Sequence, residues 1–214
     1  MPNLGPDVRQ SACRLIRIWV SLTVSTLAWL GASTSYLPHD AQREESAAAS
    51  PIDAVVERII DVESGGDPNA KNKRSSATGL GQFLDETWLD MIRAHRPDLA
   101  KGRSQNEILE LRRDAKVARE ITARFTERNA GMLRKRGLPV TPGTLYLAHF
   151  AGGAGAVAIL SAMENADAAL IMATADATGR TNREKLVKAN PFLERFTVAD
   201  LRNWADRKMR APGL

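Results

Sequence analysis

Glu63 is the residue in this sequence whose position most clearly points to acid–base chemistry. Apolar residues precede it at helical spacing: Ile52, Val55, Val56, Ile59 and Ile60. The same rhythm continues to Glu63, which therefore lies on the face that this helix buries. Desolvation there favours the protonated carboxyl group, which is the form a general acid requires. By itself, the pattern is more typical of a helix-end Glu that faces solvent or pairs with an Arg, and the residues that follow favour the catalytic interpretation.

A polar loop and a glycine-rich stretch follow this predicted helix. Gly65 and Gly66 end the helix, residues 67–76 are polar, and residues 77–83 read ATGLGQF. Glycines permit close approach of the backbone. The amide of Gln82 donates and accepts hydrogen bonds together, which suits the hydroxyl and acetamido groups of a sugar. A turn with an incidental Gln explains the spacing equally well.

Tyr146 and His149 lie three residues apart in the apolar segment 145–150, LYLAHF. They therefore share one face of a predicted helix. A core Tyr with a hydrogen-bonded core His explains the pair as well as a functional role does. The other two histidines are far away and match no metal-ligand spacing, and the only cysteine, Cys13, lies near the N-terminus. No metal site and no cofactor are predicted.

The segments that must position these residues are predicted to be helical, so the expected fold class is mainly α. Ser50 and Pro51 supply an N-cap and a first-turn proline for the helix that carries Glu63. Further predicted N-caps are Asp85, Ser104, Thr141 and Thr197. The pattern after Ser104 predicts one long helix to Gly137 with a break near Gly131. Glycines interrupt the helix after Thr141, and short helices are predicted at residues 167–173 and 182–189.

The first 33 residues have the features of a signal peptide. Arg9, Arg14 and Arg17 form a positive region, residues 18–32 are apolar, and small residues follow. This run of about 15 residues is shorter than the roughly 20 that span a bilayer. A cleaved signal peptide is therefore favoured over a retained anchor, and residues 34–50 are predicted to be a flexible linker. The expected location is exported, in the periplasm or cell envelope.

The charge of the chain limits the classes of partner that it is expected to bind. The formal net charge is +5 over 214 residues, and the basic residues are scattered among acids. Because no Lys/Arg stripe with interleaved aromatic residues occurs, nucleic acid is not an expected partner. A mildly positive surface suits an anionic polymer or membrane face. Membrane contact is expected only if the N-terminal segment is retained as an anchor.

Three sequence blocks occur in order: residues 63–70 (ESGGDPNA), 76–82 (SATGLGQ) and 145–153 (LYLAHFAGG). Together they resemble the soluble lytic transglycosylase family of the lysozyme-like superfamily. The similarity covers residues 51–160, and the region around residues 190–201 is similar to one branch of the family. The resemblance implies a lysozyme-like helical domain of the α+β superfamily over residues 51–214, with little or no β structure and a C-terminal helical extension.

The resemblance also assigns site residues. It implies that Glu63 is the single catalytic acid and base, and that substrate contacts come from Ser64, Ser75, Ser76, Gln82, Tyr146 and His149. The third block departs from the usual Ala-Tyr-Asn-Ala-Gly, because His149 stands at the Tyr position and Phe150 at the Asn position. Either His149 contacts the site in place of that Tyr, or Tyr146, one turn earlier, does so.

The activity implied by the resemblance is cleavage of the β-1,4 bond between N-acetylmuramic acid and N-acetylglucosamine in peptidoglycan strands. Glu63 protonates the glycosidic oxygen, the substrate's acetamido group stabilises the cationic centre, and Glu63 then takes the proton of the muramyl 6-hydroxyl as a 1,6-anhydro ring closes. Most glycosidases need a second carboxylate. The acids nearest in sequence, Asp61, Asp67, Asp85 and Glu86, have no evident relation to Glu63.

Two alternatives accompany this prediction. Attack by water in place of the 6-hydroxyl would make the protein a hydrolytic muramidase. A non-catalytic wall-binding or assembly factor would have kept the fold without the chemistry, and the presence of Glu63 disfavours it. The sequence does not distinguish the process for which the wall would be opened. A secretion system, a flagellum, another envelope-spanning machine and cell-surface growth are equally compatible with it.

Overall fold

The structure is a computed structural model that describes residues 51–210. These residues form nine α-helices: α1 (Pro51–Ser64), α2 (Asp85–His95), α3 (Pro97–Ala100), α4 (Gln105–Glu110), α5 (Ala115–Lys135), α6 (Pro142–Ser161), α7 (Ala168–Thr174), α8 (Arg183–Ala189) and α9 (Val198–Met209). Short 3₁₀ turns follow α4 and α8, at Leu111–Arg113 and Pro191–Arg195. Within this range no strand forms, and only isolated bridges such as that between Thr78 and Phe83 occur. The predicted mainly α class is confirmed.

Several predictions concern residues outside the described range. They are the signal peptide at residues 1–33, the linker at residues 34–50 and the N-cap at Ser50. Among the other predicted caps, Ser104, Thr141 and Thr197 each form a capping box. The cap at Asp85 was wrong: Asp85 is the first helical residue of α2, and its N–H donates to the Ser76 hydroxyl oxygen (3.2 Å).

Helix α1 lies between two apolar cores. Val55 and Ile59 pack into the first core, which α6, α7, α9 and the end of α5 also build. Val56 and Ile60 pack into the second, with α2, α4 and the start of α5. Neighbouring residues of α1 therefore serve different cores, which holds the helix from more than one side. Gly65 and Gly66 end it with φ angles of +61° and +80°, a conformation that favours glycine.

The predicted long helix after Ser104 is divided in the structure. Helix α4 ends at Glu110, a 3₁₀ turn follows, and α5 begins at Ala115. The cause is Asp114, whose side chain accepts from the N–H groups of Lys116 (2.9 Å) and Val117 (3.0 Å) and so caps a new helix. The break predicted near Gly131 was wrong, because α5 runs through it to Lys135.

Helix α6 is kinked at Gly152, where φ is 72° and ψ is 161°. The buried Asn129 of α5 donates to the Ala148 carbonyl, one turn before the kink (3.2 Å). A Cβ at Gly153 would lie 2.6 Å from the sulfur of Met132, so α5 and α6 approach closely here. In the described part of the chain, α6 alone has the length and hydropathy of a membrane span, but half of that window is buried in the protein, as in a core helix.

Candidate active site

Arg112, which no sequence pattern singled out, anchors the loop between α1 and α2. Its residue surface is only 6% exposed. The guanidinium Nη1 donates to the carbonyls of Ser76 (2.9 Å) and Phe83 (3.0 Å) and to the Asp85 carboxylate (2.7 Å), while Nε donates to the Leu109 carbonyl (2.9 Å). One buried cation thereby joins both ends of the glycine-rich stretch to the turn after α4. In the sequence, Arg112 is one of two consecutive arginines after α4, and this pattern is equally typical of two charges that face solvent.

The glycines of this stretch are needed for close packing, as the spacing predicted. A Cβ at Gly79 would lie 2.0 Å from the carbonyl oxygen of Arg112, and the φ angle there is +80°. A Cβ at Gly81 would lie 2.7 Å from both the Phe83 ring and the Thr122 hydroxyl. No larger residue fits at either position without movement of its neighbours.

Gln82 is the only non-glycine residue with a positive φ (48°) in the described range. Its Nε2 donates to the carbonyls of Ala70 (3.1 Å) and Gly79 (2.9 Å). Both amide hydrogens are therefore used within the loop, and Oε1 is the atom that remains for a ligand. Unfavourable backbone angles persist where surrounding contacts hold them, and they cluster at functional sites. Gln82 thus shapes the loop in addition to its predicted substrate contact.

We expect Gln82→Ala to destabilise the fold as well as to slow turnover. Two hydrogen bonds are lost, and each contributes about 0.5–1.5 kcal/mol net. The free energy of unfolding, measured by urea denaturation, should fall by about 1–3 kcal/mol. Gln105→Ala is the matched control, because Gln105 is exposed at the start of α4. Equal stability of the two variants would contradict the assigned hydrogen bonds.

Each of the three predicted serines forms a hydrogen bond with the backbone and keeps a donor or acceptor function free. Ser64 Oγ donates to the Ile60 carbonyl (3.1 Å), which leaves its lone pairs. Ser75 Oγ accepts from the Ala77 N–H (3.3 Å), and Ser76 Oγ accepts from the Asp85 N–H (3.2 Å). The latter two hydroxyls therefore retain a hydrogen to donate. All three serines are half-buried.

Glu63 is half-buried in the last turn of α1 and lies beside Tyr146 of α6. Tyr146 is only 3% exposed. Burial, the negative charge of Glu63 and a hydrogen bond to Glu63 all raise the pKa of the Tyr146 hydroxyl. The phenol is therefore protonated at neutral pH and is available to donate a hydrogen bond to the carboxylate. Tyr146 thus adjoins the Glu63 carboxyl group from a second helix.

The raised pKa of Tyr146 predicts an alkaline loss of stability. Above the pKa of about 10 of an unfolded tyrosine, the unfolded state binds fewer protons than the folded one, so the free energy of unfolding falls with rising pH. Tyr146→Phe removes this titration. In guanidinium unfolding across pH 8–11, its stability should decline less steeply than that of the native protein. Parallel declines would contradict the raised pKa of Tyr146.

His149 contacts the glycine-rich stretch instead of Glu63. Its Nε2 lies 2.9 Å from the Gly81 carbonyl, and since a carbonyl only accepts, Nε2 carries the hydrogen. The imidazole meets the rings of Phe83 and Phe125 edge-on, with centroids 5.4 and 5.6 Å away. Its Nδ1 is buried and makes no hydrogen bond. Tyr146 and His149 were the two candidates to replace the usual Tyr of the third block. The structure brings Tyr146 to Glu63 and His149 to the loop.

The acids considered as second carboxylates are all engaged elsewhere. Asp61 pairs with Arg58, and Asp67 accepts from the Asn69 N–H (2.8 Å). The other two form ion pairs, Asp85 with Arg112 (2.7 Å) and Glu86 with Arg180 (2.6 Å). Within the described residues none of the four bonds to Glu63. The polar side chain that does interact with Glu63 is the phenol of Tyr146.

An aromatic cluster that the sequence did not reveal adjoins Tyr146. The Trp204 ring of α9 lies 5.3 Å from Tyr146, 5.0 Å from Phe150 and 5.2 Å from Phe192, measured between centroids. Phe192 stacks on Trp204 at 27° and is 36% exposed. The aromatic rings therefore extend from the buried Tyr146 to the surface. Because they come from three separate elements, no single stretch of sequence indicates the cluster.

No group of three or more His, Cys, Asp or Glu side chains that could hold a metal ion occurs among residues 51–210. The side chains of the candidate site are Glu63, Tyr146 and the hydroxyl and amide groups of the loop. Comparison of the chain with models of known protein families found no match.

Proposed function

We propose that this protein cleaves the β-1,4 bond between N-acetylmuramic acid and N-acetylglucosamine in peptidoglycan by lytic transglycosylation. The observation that carries the proposal is the pairing of a half-buried Glu63 with the buried phenol of Tyr146. A carboxyl group held at the end of a core helix, with its orientation set by a second helix, is suited to general acid–base catalysis.

Helix α6 connects this carboxyl group with the glycine-rich stretch. Tyr146 contacts Glu63, and His149, one turn later, contacts the Gly81 carbonyl. Two helix positions three residues apart are separated by about 4.5 Å along the axis. The glycine-rich stretch therefore contacts α6 one turn after the residue that contacts Glu63. From this stretch, Gln82 and the loop serines would bind the hydroxyl and acetamido substituents of the glycan.

In the proposed reaction, Glu63 donates its proton to the glycosidic oxygen as the bond to the muramyl C1 breaks. The substrate's acetamido oxygen stabilises the cationic centre. The Glu63 carboxylate then removes the proton of the muramyl 6-hydroxyl, whose oxygen bonds to C1 and closes the 1,6-anhydro ring. The Tyr146 hydroxyl stabilises Glu63 in its ionised state between these two proton transfers.

The engagement of the four acids nearest to Glu63 in the sequence favours this route over two-carboxylate hydrolysis. Inverting and retaining glycosidases both need a second acid at a set distance from the first. Asp61, Asp67, Asp85 and Glu86 are each committed to other partners. Glu63 therefore serves as acid and base in turn.

The exposed ring of Phe192 and its aromatic neighbours offer a stacking surface for a sugar ring.

Mass analysis of the products tests the proposal. Purified protein is incubated with intact sacculi, and the released muropeptides are weighed. Lytic transglycosylation gives 1,6-anhydromuramyl ends, which are lighter by one water than hydrolytic products. New reducing muramic acid ends would instead identify a muramidase. Binding to sacculi without any release would identify a wall-binding factor.

A further inference from the structure

A cavity of about 450 Å³ lies between the loop after α1 and helix α8, and three of its four lining residues are basic. They are Arg74, Lys185 and Lys188, with Ala189 as the fourth. Arg74 directly precedes Ser75 and Ser76. Lys185 and Lys188 are three residues apart and share one side of α8. The cavity therefore adjoins the loop that is proposed to contact the glycan.

The basic groups of this cavity are not neutralised by the protein. In the described part of the chain, Arg74 and Lys188 form no ion pair through their side chains, and Lys185 Nζ donates only to the Arg180 carbonyl (2.7 Å). The acid next to Lys185, Glu184, interacts with Arg183. Unpaired cations around a concave surface attract anionic ligands.

Helix α8 is held firmly enough to present these lysines. Leu186 and Val187 pack against the first core. Arg183 pairs with Asp167 (2.8 Å). Just before the helix, Arg180 pairs with Glu86 at the start of α2 (2.6 Å). Helix α8 is thus positioned by its contacts with the first core, with Asp167 and with the start of α2.

We propose that this cavity binds the carboxylates of the peptide stem carried by the muramyl residue of the glycan. The inference rests on the proposed function. Where a stem is attached, the lactyl carboxyl group of the muramyl residue is an amide and the sugar backbone is uncharged, whereas the stem peptide bears carboxylates and leaves the muramyl ring beside the bond to be cleaved. A cavity of about 450 Å³ is within the range of about 300–1,000 Å³ of ligand pockets. The stem runs past Arg74 towards α8, so peptide-bearing strands are preferred over stripped ones.

Charge removal at the cavity tests this preference. Initial rates are measured on peptide-bearing strands and on strands stripped of stems by an amidase, which keep only the lactyl carboxylate on each muramyl ring. The double variant Lys185→Gln/Lys188→Gln should raise the KM for peptide-bearing strands by about 3- to 20-fold, as expected for two partly exposed charge contacts. The preference over stripped strands should disappear, and added salt should weaken it in the native protein.

Lys101→Gln/Lys116→Gln is the matched control, because it removes the same charge from two exposed lysines outside the cavity lining. It should keep the preference. If the native protein cleaves both substrates equally well, or if the control loses the preference too, the stem proposal is overturned while the proposed glycan cleavage stands.

A binding measurement separates failure of this inference from failure of the proposed function. Calorimetry with Glu63→Gln compares a muramyl peptide that has free carboxylates with the same peptide amidated. Tighter binding of the free-carboxylate form, lost in the double lysine variant, supports the cavity even if neither strand is cleaved. Equal binding of the two peptides rejects it.

Discussion

Glu63→Gln is expected to abolish release of muropeptides from sacculi while leaving the fold intact. The amide keeps the shape of the carboxyl group and still accepts the hydrogen bond of Tyr146, but it has no acidic proton to donate. General acid–base catalysis contributes about 10²–10⁴-fold. Because one group performs both proton transfers here, the loss in rate should be at or above that range. Stability should change little or rise, since a buried amide avoids the cost of a buried charge.

Asp61→Asn is the control for this variant. It lies on the same helix, two residues earlier, with a side chain 60% exposed and paired with Arg58. Exposed pairs contribute up to about 1 kcal/mol to stability, and the rate of muropeptide release should be near native. Release by Glu63→Gln at a rate close to that of Asp61→Asn would remove both the assigned site and the proposed enzyme class.

Arg112→Met is expected to be the most destabilising of the substitutions considered. It removes three hydrogen bonds that join the turn after α4 to Ser76, Phe83 and Asp85, and a fourth to the Leu109 carbonyl of α4. Breaking a buried ion pair costs about 3–5 kcal/mol. Because the Asp85 side chain is 42% exposed, we expect a lower loss in the free energy of unfolding, about 2–4 kcal/mol. Denaturant unfolding measures this loss.

A second consequence separates Arg112 from an ordinary core residue. Without the guanidinium, the carbonyls of Ser76 and Phe83 keep only their hydrogen bonds from Thr78, and the glycine-rich stretch between them loses its link to the turn after α4. Hydrogen exchange of the amides in residues 76–84 should accelerate more than that of α9. Arg124→Met, which removes a half-exposed pair with Glu127, should alter neither the exchange nor the stability by a comparable amount. Equal effects of the two substitutions would contradict the anchoring role.

The sequence by itself determined the helical class, most helix starts and the end of α1. These depend on interactions within a few residues: capping at Ser104, Thr141 and Thr197, and the positive φ angles at Gly65 and Gly66. It also determined where Glu63 lies, because helical periodicity places residues relative to a buried face without any knowledge of the partner. The prediction of one long helix after Ser104 was wrong. The helical periodicity and the N-cap at Asp114 conflict in this segment, and the cap begins a new helix.

Only the tertiary structure decided what each side chain contacts. Tyr146 and His149 share one helix face, yet one reaches Glu63 and the other Gly81, because α1 and the glycine-rich stretch pack against successive turns of α6. Arg112 resembles a surface charge in sequence, and it is buried because its guanidinium bonds to carbonyls of a distant loop and to the Asp85 carboxylate. The aromatic cluster around Trp204 and the basic cavity beside Arg74 likewise combine elements far apart in the chain. Contacts between distant segments depend on how helices pack, and a pattern of a few residues carries no information about that packing.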